Sequence, residues 1–301
     1  MDSATPASNS IQNPRSEVVS VRTADGVELS GQFFPRLNSS SDAAPVLICP
    51  ATGVPQRFYA PFAGWLAEQG HDTLTFDYRG IGESLREPHV RKCQARKPQW
   101  GQFDMPAALD CLRERSQVSQ VNLIGHSAGA QLVGLMPNHA AIRRVVMVAG
   151  SSGYVRRIAF PQRLAAEFFL RLYLPVVSRV LGYAPLRVIR YGEDLPAGVA
   201  QDWARWCRGP GYVANGFGRE IQRHYYDEFR APILALRALD DPIATDANVR
   251  DLLRLFPSAP SEIRPLDPRQ FNLPAIGHTQ FFRRNRQSLW PLVTEWLAAS
   301  R

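Results

Sequence analysis

The fold is decided by the stretch Val121-Asn122-Leu123-Ile124-Gly125-His126-Ser127-Ala128-Gly129. Its first four residues are typical of a buried strand, and the residues after Ser127 favour a helix that runs to about Met136 and ends before Pro137. A serine between two glycines at such a junction lies on a sharp turn, because the glycines relieve backbone crowding. This setting predicts that Ser127 is a nucleophile; the alternative is a glycine turn with a structural role only.

Strands and helices alternate on both sides of this turn. A hairpin with its turn at Asp25-Gly26 comes first, over residues 18–34. Besides the strand at 121–124, the predicted strands cover residues 46–49, 72–78, 144–149 and 232–236, and the other predicted helices cover 58–69, 105–115 and 288–299. Such alternation indicates an α/β fold with a mostly parallel sheet flanked by helices.

One long internal segment departs from the alternation of strands and helices. Residues 151–230 have helical patterns, several prolines and many aromatic side chains, which predicts a helical cap inserted over the sheet. We therefore divide the chain into a disordered N-terminus (1–16), a first part of the core (17–150), the cap (151–230) and a second part of the core (231–301).

Composition and charge narrow the class of protein. With 301 residues and 45% hydrophobic composition, the chain is long enough to bury one large core. Lys and Arg number 35 against 27 Asp and Glu, a net charge of +8, but the basic residues are scattered arginines, with Lys92 and Lys97 as the only lysines. Since there is neither a basic stripe nor a known binding motif, we expect no nucleic-acid partner.

The cysteines and the N-terminal region bear on location. Cys49, Cys93, Cys111 and Cys207 are far apart, so we expect free thiols rather than a zinc site or a redox pair. Residues 1–17 are polar and lack the apolar core of a secretion signal, and no apolar run reaches the ~20 residues of a membrane-spanning helix. These features predict a cytoplasmic protein without stable membrane insertion, and they leave the oligomeric state open.

A nucleophilic serine requires amide donors for the oxyanion that develops on the carbonyl it attacks. The elbow places the backbone amide of Ala128 at the carboxyl edge of the sheet. A second donor is expected in the loop at residues 50–54, after the strand that ends at Cys49. We assign it to Thr52, with Gly53 and Val54 as the alternatives; the loop is otherwise an ordinary turn.

From about residue 17 to its end, the chain resembles the α/β-hydrolase superfamily. The resemblance rests on Asp77-Tyr78-Arg79-Gly80-Ile81-Gly82-Glu83-Ser84, on the elbow, and on segments near residues 241 and 278. It is greatest for a bacterial branch similar to serine aminopeptidase-like and lysophospholipase-like hydrolases. One departure is Pro50-Ala51, where His-Gly is common in the superfamily, and this leaves the second oxyanion donor open.

The resemblance implies a catalytic triad in the order nucleophile, acid, histidine. The acid follows a late strand, in Asp240-Asp241-Pro242, and the second position of that turn implies Asp241. Either aspartate is also suited to capping the turn before proline. The base is implied to be His278, the only histidine after Asp241; the alternative is a loop histidine without a catalytic part.

The cap aromatics are candidates for substrate contact. Trp203 and Trp206 are three residues apart and would share a helix face, which serves either packing or a substrate wall. No metal-ligand spacing stands out, and we expect no cofactor.

Three functions are compatible with these features of the sequence. The first is a serine hydrolase that cleaves a carboxylic ester, thioester or amide of a small-molecule acyl substrate through an acyl-enzyme. The second is an acyltransferase that uses the same triad. The third is a non-catalytic binding protein with a vestigial triad.

Overall fold

A computed structural model describes residues 16–38 and 41–299. The strands in these residues are β1 (Glu17–Arg22), β2 (Glu28–Phe34), β3 (Val46–Cys49), β4 (Thr73–Phe76), β5 (Val121–His126), β6 (Ile142–Val148), β7 (Tyr183–Ala184), β8 (Leu195–Pro196), β9 (Ile233–Ala238) and β10 (Ser261–Leu266). Eight of them form one sheet with the order β1-β2-β4-β3-β5-β6-β9-β10, and the pair β7 and β8 lies outside this sheet. Except for Ser16, the N-terminus predicted to be disordered lies outside the described residues.

The sheet is mostly parallel, as the alternating pattern predicts. β1 and β2 form the antiparallel hairpin, and β2 also pairs antiparallel with β4. All pairs from β4 to β10 are parallel. Strand β10 was not predicted, because Pro265 and three charged or polar residues hide its pattern; an edge strand tolerates such residues.

The helices lie between the strands and in the segment 151–230. They are α1 (Ala60–Glu68), α2 (Lys97–Gln99), α3 (Met105–Ser116), α4 (Ala128–Gln131), α5 (Gln162–Phe168), α6 (Leu174–Leu181), α7 (Ala197–Trp206), α8 (Asp246–Leu253) and α9 (Pro291–Ala298). Two π-helical turns, Trp100–Asp104 and Phe169–Tyr173, connect α2 to α3 and α5 to α6 without a break. The positive φ of Gly70 ends α1 where the sequence predicts a glycine cap.

Two apolar clusters pack against the sheet. Neighbouring residues of β3 belong to different clusters, Leu47 to the larger and Ile48 to the smaller, as the alternation of side chains along a strand requires. The larger cluster includes α3 and the segment 151–230, and the smaller includes α1 and α9. The sheet is therefore covered on both faces, and its carboxyl edge is left for the loops.

Helix α4 is shorter than predicted. It ends at Gln131 instead of Met136 and continues as a 3₁₀ turn over Val133–Leu135. The carbonyl of Gln131 accepts a hydrogen bond from the Tyr226 hydroxyl at 2.5 Å, where an α-helix would use the amide of Leu135. That amide donates to Leu132 instead, so the side chain of Tyr226 tightens the last turn.

The segment 151–230 connects β6 to β9. It contains α5, α6, α7 and the β7–β8 pair, and we refer to it as the cap. The positions of the two boundaries remain predictions. Within the described part of the chain, no helix combines the length and the apolar character needed to cross a membrane.

Candidate active site

Strand β5 ends at His126, and the next residue, Ser127, lies on a strained turn. Its φ of 48° and ψ of −102° are unusual for a residue with a side chain. The turn needs small neighbours, since a Cβ at Gly129 would lie 2.1 Å from the carbonyl oxygen of Cys49, and one at Gly125 would lie 2.5 Å from the amide nitrogen of Ala130. The glycines therefore allow the close approach that presents Ser127 at the carboxyl edge of the sheet.

The structure brings together the three residues of the predicted triad. His278 Nε2 lies 3.1 Å from Ser127 Oγ, and His278 Nδ1 lies 2.8 Å from Asp241 Oδ2. Because a carboxylate only accepts, Nδ1 carries the hydrogen and donates it to Asp241. Nε2 is then an acceptor for the Ser127 hydroxyl, so the imidazole is set up to take the proton of the serine.

The environment of Asp241 keeps this side chain ionised. Burial by itself raises the pKa of the carboxyl, but the neighbouring His278 ring and two backbone amides outweigh it and hold the pKa below its usual value. These amides belong to Ile243 and Ala244 and donate to Oδ1 at 2.8 and 3.0 Å. One oxygen of Asp241 is thus fixed by its own turn, and the other is directed at the imidazole.

Asp240 has a different task from its neighbour. Its two carboxylate oxygens accept hydrogen bonds from the amides of Ile276 and Gly277, at 2.9 and 3.0 Å. These residues directly precede His278. The two aspartates therefore have different roles, since Asp240 fixes the backbone of the histidine loop and Asp241 orients the imidazole ring.

A buried chain of hydrogen bonds runs beneath the triad. The amide of Ala51 donates to the Tyr59 hydroxyl at 2.9 Å, and that hydroxyl lies 2.8 Å from His126 Nδ1. His126 Nε2 lies 2.9 Å from the carbonyl of His278. Since a carbonyl only accepts, Nε2 carries the hydrogen and Nδ1 accepts from Tyr59. Burial lowers the pKa of His126 to about 3, so the ring is neutral and links the loop after β3 to the loop of the base.

The hydrogen bonds of the structure show which of the predicted oxyanion donors have a free backbone amide. Within the described residues, the N–H groups of Ala128, Thr52 and Gly53 make no hydrogen bond. The Val54 amide is occupied, because it donates to the carbonyl of Ala51 at 3.2 Å. Of the three residues predicted as the second donor, Thr52 and Gly53 therefore keep an unbonded backbone amide, and Val54 does not.

Thr52 also contacts a buried lysine. Lys97 is fully buried and donates from Nζ to Thr52 Oγ1 at 2.6 Å, and the same nitrogen lies 4.5 Å from the centroid of the Trp100 ring. Burial lowers the pKa of Lys97 to about 7. Below that pH the group is an ammonium without an acceptor lone pair, so the oxygen of Thr52 accepts and its own hydrogen is directed elsewhere.

An apolar cavity of about 580 Å³ reaches His278. Its lining includes Gln131 from α4 and Pro242 and Ile243 beside the acid, and the remaining lining residues come mainly from the cap, among them Phe169 and Trp203. A volume of this size is typical of small-molecule sites.

The two tryptophans proposed as substrate contacts are not equivalent. Trp203 lines the cavity, whereas Trp206 lies outside it. Trp206 is fully buried, donates from its indole nitrogen to Glu220 at 2.6 Å and packs edge-on against Tyr212. The expectation that Trp206 contacts substrate is corrected accordingly, since its indole packs in the core of the cap.

The described residues contain no group of three His, Cys, Asp or Glu side chains arranged to hold a metal ion. The residues gathered at the sheet edge can instead transfer protons and stabilise an oxyanion. They comprise a serine hydroxyl in contact with an oriented imidazole, an ionised carboxylate and backbone amides that make no hydrogen bond within the described residues.

The sequence of residues 46–286 matches the family model described as "Alpha/beta hydrolase family". The chain belongs to the alpha/beta hydrolase family. This α/β hydrolase has a relative in Mycobacterium tuberculosis, the uncharacterised protein Rv2307c, which is 29% identical over 203 residues, or 65% of this chain and 68% of that protein.

Solved structures share the fold of this α/β hydrolase. A soluble variant of monoglyceride lipase from Saccharomyces cerevisiae, bound to a substrate analogue, superposes with a TM-score of 0.64 at 16% identity, covering 97% of this chain and 99% of that one. The Pyrococcus furiosus esterase Pf2001 superposes with a TM-score of 0.59 at 16% identity, covering 94% and 90%. At these identities the likeness shows the fold alone.

Sequence reasoning missed three residues at the site. Asp240 was considered as an acid or a cap of its turn, and no catalytic part was predicted for His126. Lys97 carried a usable signal, because it is one of two lysines in a chain whose other basic side chains are arginines or histidines.

Proposed function

We propose that this α/β hydrolase is a serine esterase that cleaves carboxylic esters with an apolar acyl group through an acyl-enzyme on Ser127. The observation that carries the proposal is the unbroken contact from Asp241 through His278 to Ser127, with distances of 2.8 and 3.1 Å. The fold shared with an esterase and a monoglyceride lipase supports the choice of ester over amide.

In the proposed reaction, His278 Nε2 takes the proton of Ser127 as Oγ attacks the ester carbonyl. The backbone amide of Ala128 and a donor group of Thr52 form hydrogen bonds to the oxyanion of the tetrahedral intermediate. His278 then gives its proton to the leaving alcohol, which departs as the acyl-enzyme forms. Water attacks this ester with His278 as the base, and the carboxylic acid is released.

Lys97 orients a hydroxyl in this scheme. Its ammonium occupies the lone pair of Thr52 Oγ1, so the hydrogen of Thr52 is free to bond the oxyanion alongside a backbone amide. The acyl group is accommodated in the apolar cavity, in which Trp203 forms part of the wall. The site thus combines polar donors at the carbonyl with apolar surface for the chain.

Rapid mixing with p-nitrophenyl esters of graded acyl length tests this function. We expect a burst of p-nitrophenol that equals the enzyme concentration, followed by slower turnover, with kcat/KM rising from acetyl to medium-chain esters. If no ester of the series is turned over above the rate of the Ser127→Ala variant, the proposed function is wrong.

A further inference from the structure

The cap presents a row of large apolar side chains to the surface. The helix formed by α5, the π turn and α6 runs continuously over 20 residues, about 30 Å. Along it, apolar side chains recur at every fourth position and are exposed, as is Phe160 one step before it. We call this set the cap face: Phe160, Leu164, Phe168, Leu172, Val176 and Val180, with Val188 and Ile189 beside them.

The cap face is not the side by which the helix is anchored. The side chains that pack inward lie two residues away from the exposed ones, at Ala166, Leu170, Leu174 and Ser178. Two residues correspond to about 200° around a helix, so the two rows lie on opposite sides. The exposed fractions of Leu172 and Val180 are 53% and 75%, far above those of core residues. The helix is therefore apolar on both sides, and no described residue covers the outer one.

The surroundings of the cap face are strongly positive. Residues 154–194 contain seven arginines, all exposed, and three acidic residues, Glu167, Glu193 and Asp194, of which Glu193 is buried. Three of the arginines have carboxylate partners, whereas Arg156, Arg163, Arg179 and Arg190 have no ion pair within the described part of the chain. An apolar helix face flanked by arginines without ion pairs is complementary to a surface that has anionic groups on its outside and an apolar layer beneath them.

The cap face is also continuous with the cavity. Phe168 and Ile189 are exposed on the surface, and both line the cavity that reaches His278. An apolar chain that leaves a surface in contact with these residues would enter the cavity without crossing water.

We propose that the cap face docks on an anionic lipid bilayer, with its apolar side chains in the interface and its arginines at the phosphates. Lipid accounts for both observations, because it supplies apolar area of no fixed shape together with negative charge. The corollary that an acyl substrate passes from the bilayer into the cavity rests on the proposed function. The docking itself does not.

Co-sedimentation of the full chain with lipid vesicles tests the docking. We expect binding to phosphatidylcholine vesicles that contain phosphatidylglycerol, little binding to phosphatidylcholine alone, and weaker binding as salt is raised. The double variant Leu172→Asp, Val180→Asp should lower the partition coefficient about tenfold or more, since it places two charges in the interface. The matched control is Val18→Asp, on β1 and 80% exposed, which should bind like the wild-type protein.

A second variant tests the charge separately. Arg163→Gln with Arg179→Gln should lower binding to the anionic vesicles about fivefold per arginine and leave the affinity for neutral vesicles unchanged. The Ser127→Ala variant should bind vesicles like the wild-type protein, so a failure of the esterase function is distinguishable from a failure of docking.

Three outcomes would overturn the proposal. One is the absence of binding to anionic vesicles, and another is binding that the Leu172→Asp, Val180→Asp variant retains in full. The third is a dimer in light scattering that this variant dissociates, without vesicle binding by either protein; a second copy of the chain would then be the partner of the cap face.

Discussion

The ammonium of Lys97 donates to the hydroxyl of Thr52 across 2.6 Å, inside a shell that excludes water from the lysine entirely. Thr52 lies in the loop after β3, in which the sequence predicts the second oxyanion donor. A buried ammonium is costly, because desolvation disfavours its charge. The contact of Lys97 with a proposed oxyanion donor is a functional reason for a buried ammonium at this position.

Removal of the Thr52 hydroxyl should slow the reaction. Thr52→Val keeps the shape of the side chain but deletes the donor, and we expect kcat/KM to fall about 10- to 100-fold, a little less than the loss of a principal oxyanion donor. Thr52→Ser keeps the hydroxyl and serves as the control, with a change of less than about threefold. Equal activity of the valine and serine variants would assign the oxyanion to the amides alone.

Replacement of Lys97 should raise the stability of the folded protein and lower its activity. Lys97→Met removes a buried charge while filling a similar volume, so we expect the free energy of unfolding to rise by roughly 1 to 4 kcal/mol while kcat falls. The pKa of Lys97 is about 7 in the folded protein, below its value of 10.5 in the unfolded chain. The unfolded chain therefore binds more protons between these two pH values, and the lysine's penalty lessens as pH rises.

Urea unfolding of both proteins from pH 6 to pH 10 measures that difference. The advantage of Lys97→Met should be largest below about pH 7 and shrink towards pH 10. An advantage that stays constant with pH would mean that the lysine is not buried as an ammonium.

The two neighbouring aspartates should differ sharply in kinetics. Asp241→Asn removes the charge that orients His278 and stabilises the imidazolium, and kcat should fall about 10³- to 10⁴-fold. Asp240→Asn is the matched control, since it keeps one of two acceptors for the histidine loop, and we expect a loss of about tenfold or less. Steady-state ester hydrolysis measures both; comparable losses would contradict the division of roles.

The two tryptophans of α7 should affect different properties. Trp203→Ala removes part of the cavity wall, so kcat/KM for a medium-chain ester should fall about tenfold relative to the acetyl ester. Trp206→Phe should leave this ratio unchanged and cost roughly 2 kcal/mol of stability, because Glu220 loses its indole partner. A change in ester preference in the second variant would return Trp206 to the substrate site.

Acid should destabilise the fold through His126. Its pKa is lowered to about 3 in the folded protein from an ordinary value of 6.5, so the unfolded chain takes up a proton first as the pH falls. The stability contributed by the neutral ring is present above about pH 6.5 and is lost progressively below it, by about 2 kcal/mol at pH 5. Thermal unfolding of His126→Asn should show a flatter acid limb than the wild-type protein; an identical limb would exclude His126 as its source.

The sequence predicted the sheet and the elbow because both depend on short-range patterns. Buried parallel strands appear as apolar runs, and a serine between glycines has a meaning that its neighbours in the chain define. Strand β10 lacked such a pattern, and the early end of α4 depends on Tyr226, 95 residues away in the sequence. No local pattern encodes that contact.

The predicted part of the site also rests on local sequence. Ser127 was predicted from its motif and His278 was implied by the resemblance, but the contacts of Asp240 and His126 with the histidine loop join segments that only the fold brings together. The separation of Trp203 from Trp206 depends on the partner of each indole, since a spacing of three residues on a helix does not distinguish cavity from core.

Covalent labelling at Ser127 tests the central claim most directly. The wild-type protein, treated with a fluorophosphonate and digested for mass spectrometry, should carry one phosphonyl adduct on the peptide that contains Ser127. Ser127→Ala should carry none, although its fold is intact by circular dichroism. Labelling of Ser127→Ala at the wild-type rate, or no adduct on Ser127 in an ester-cleaving protein, would contradict the account.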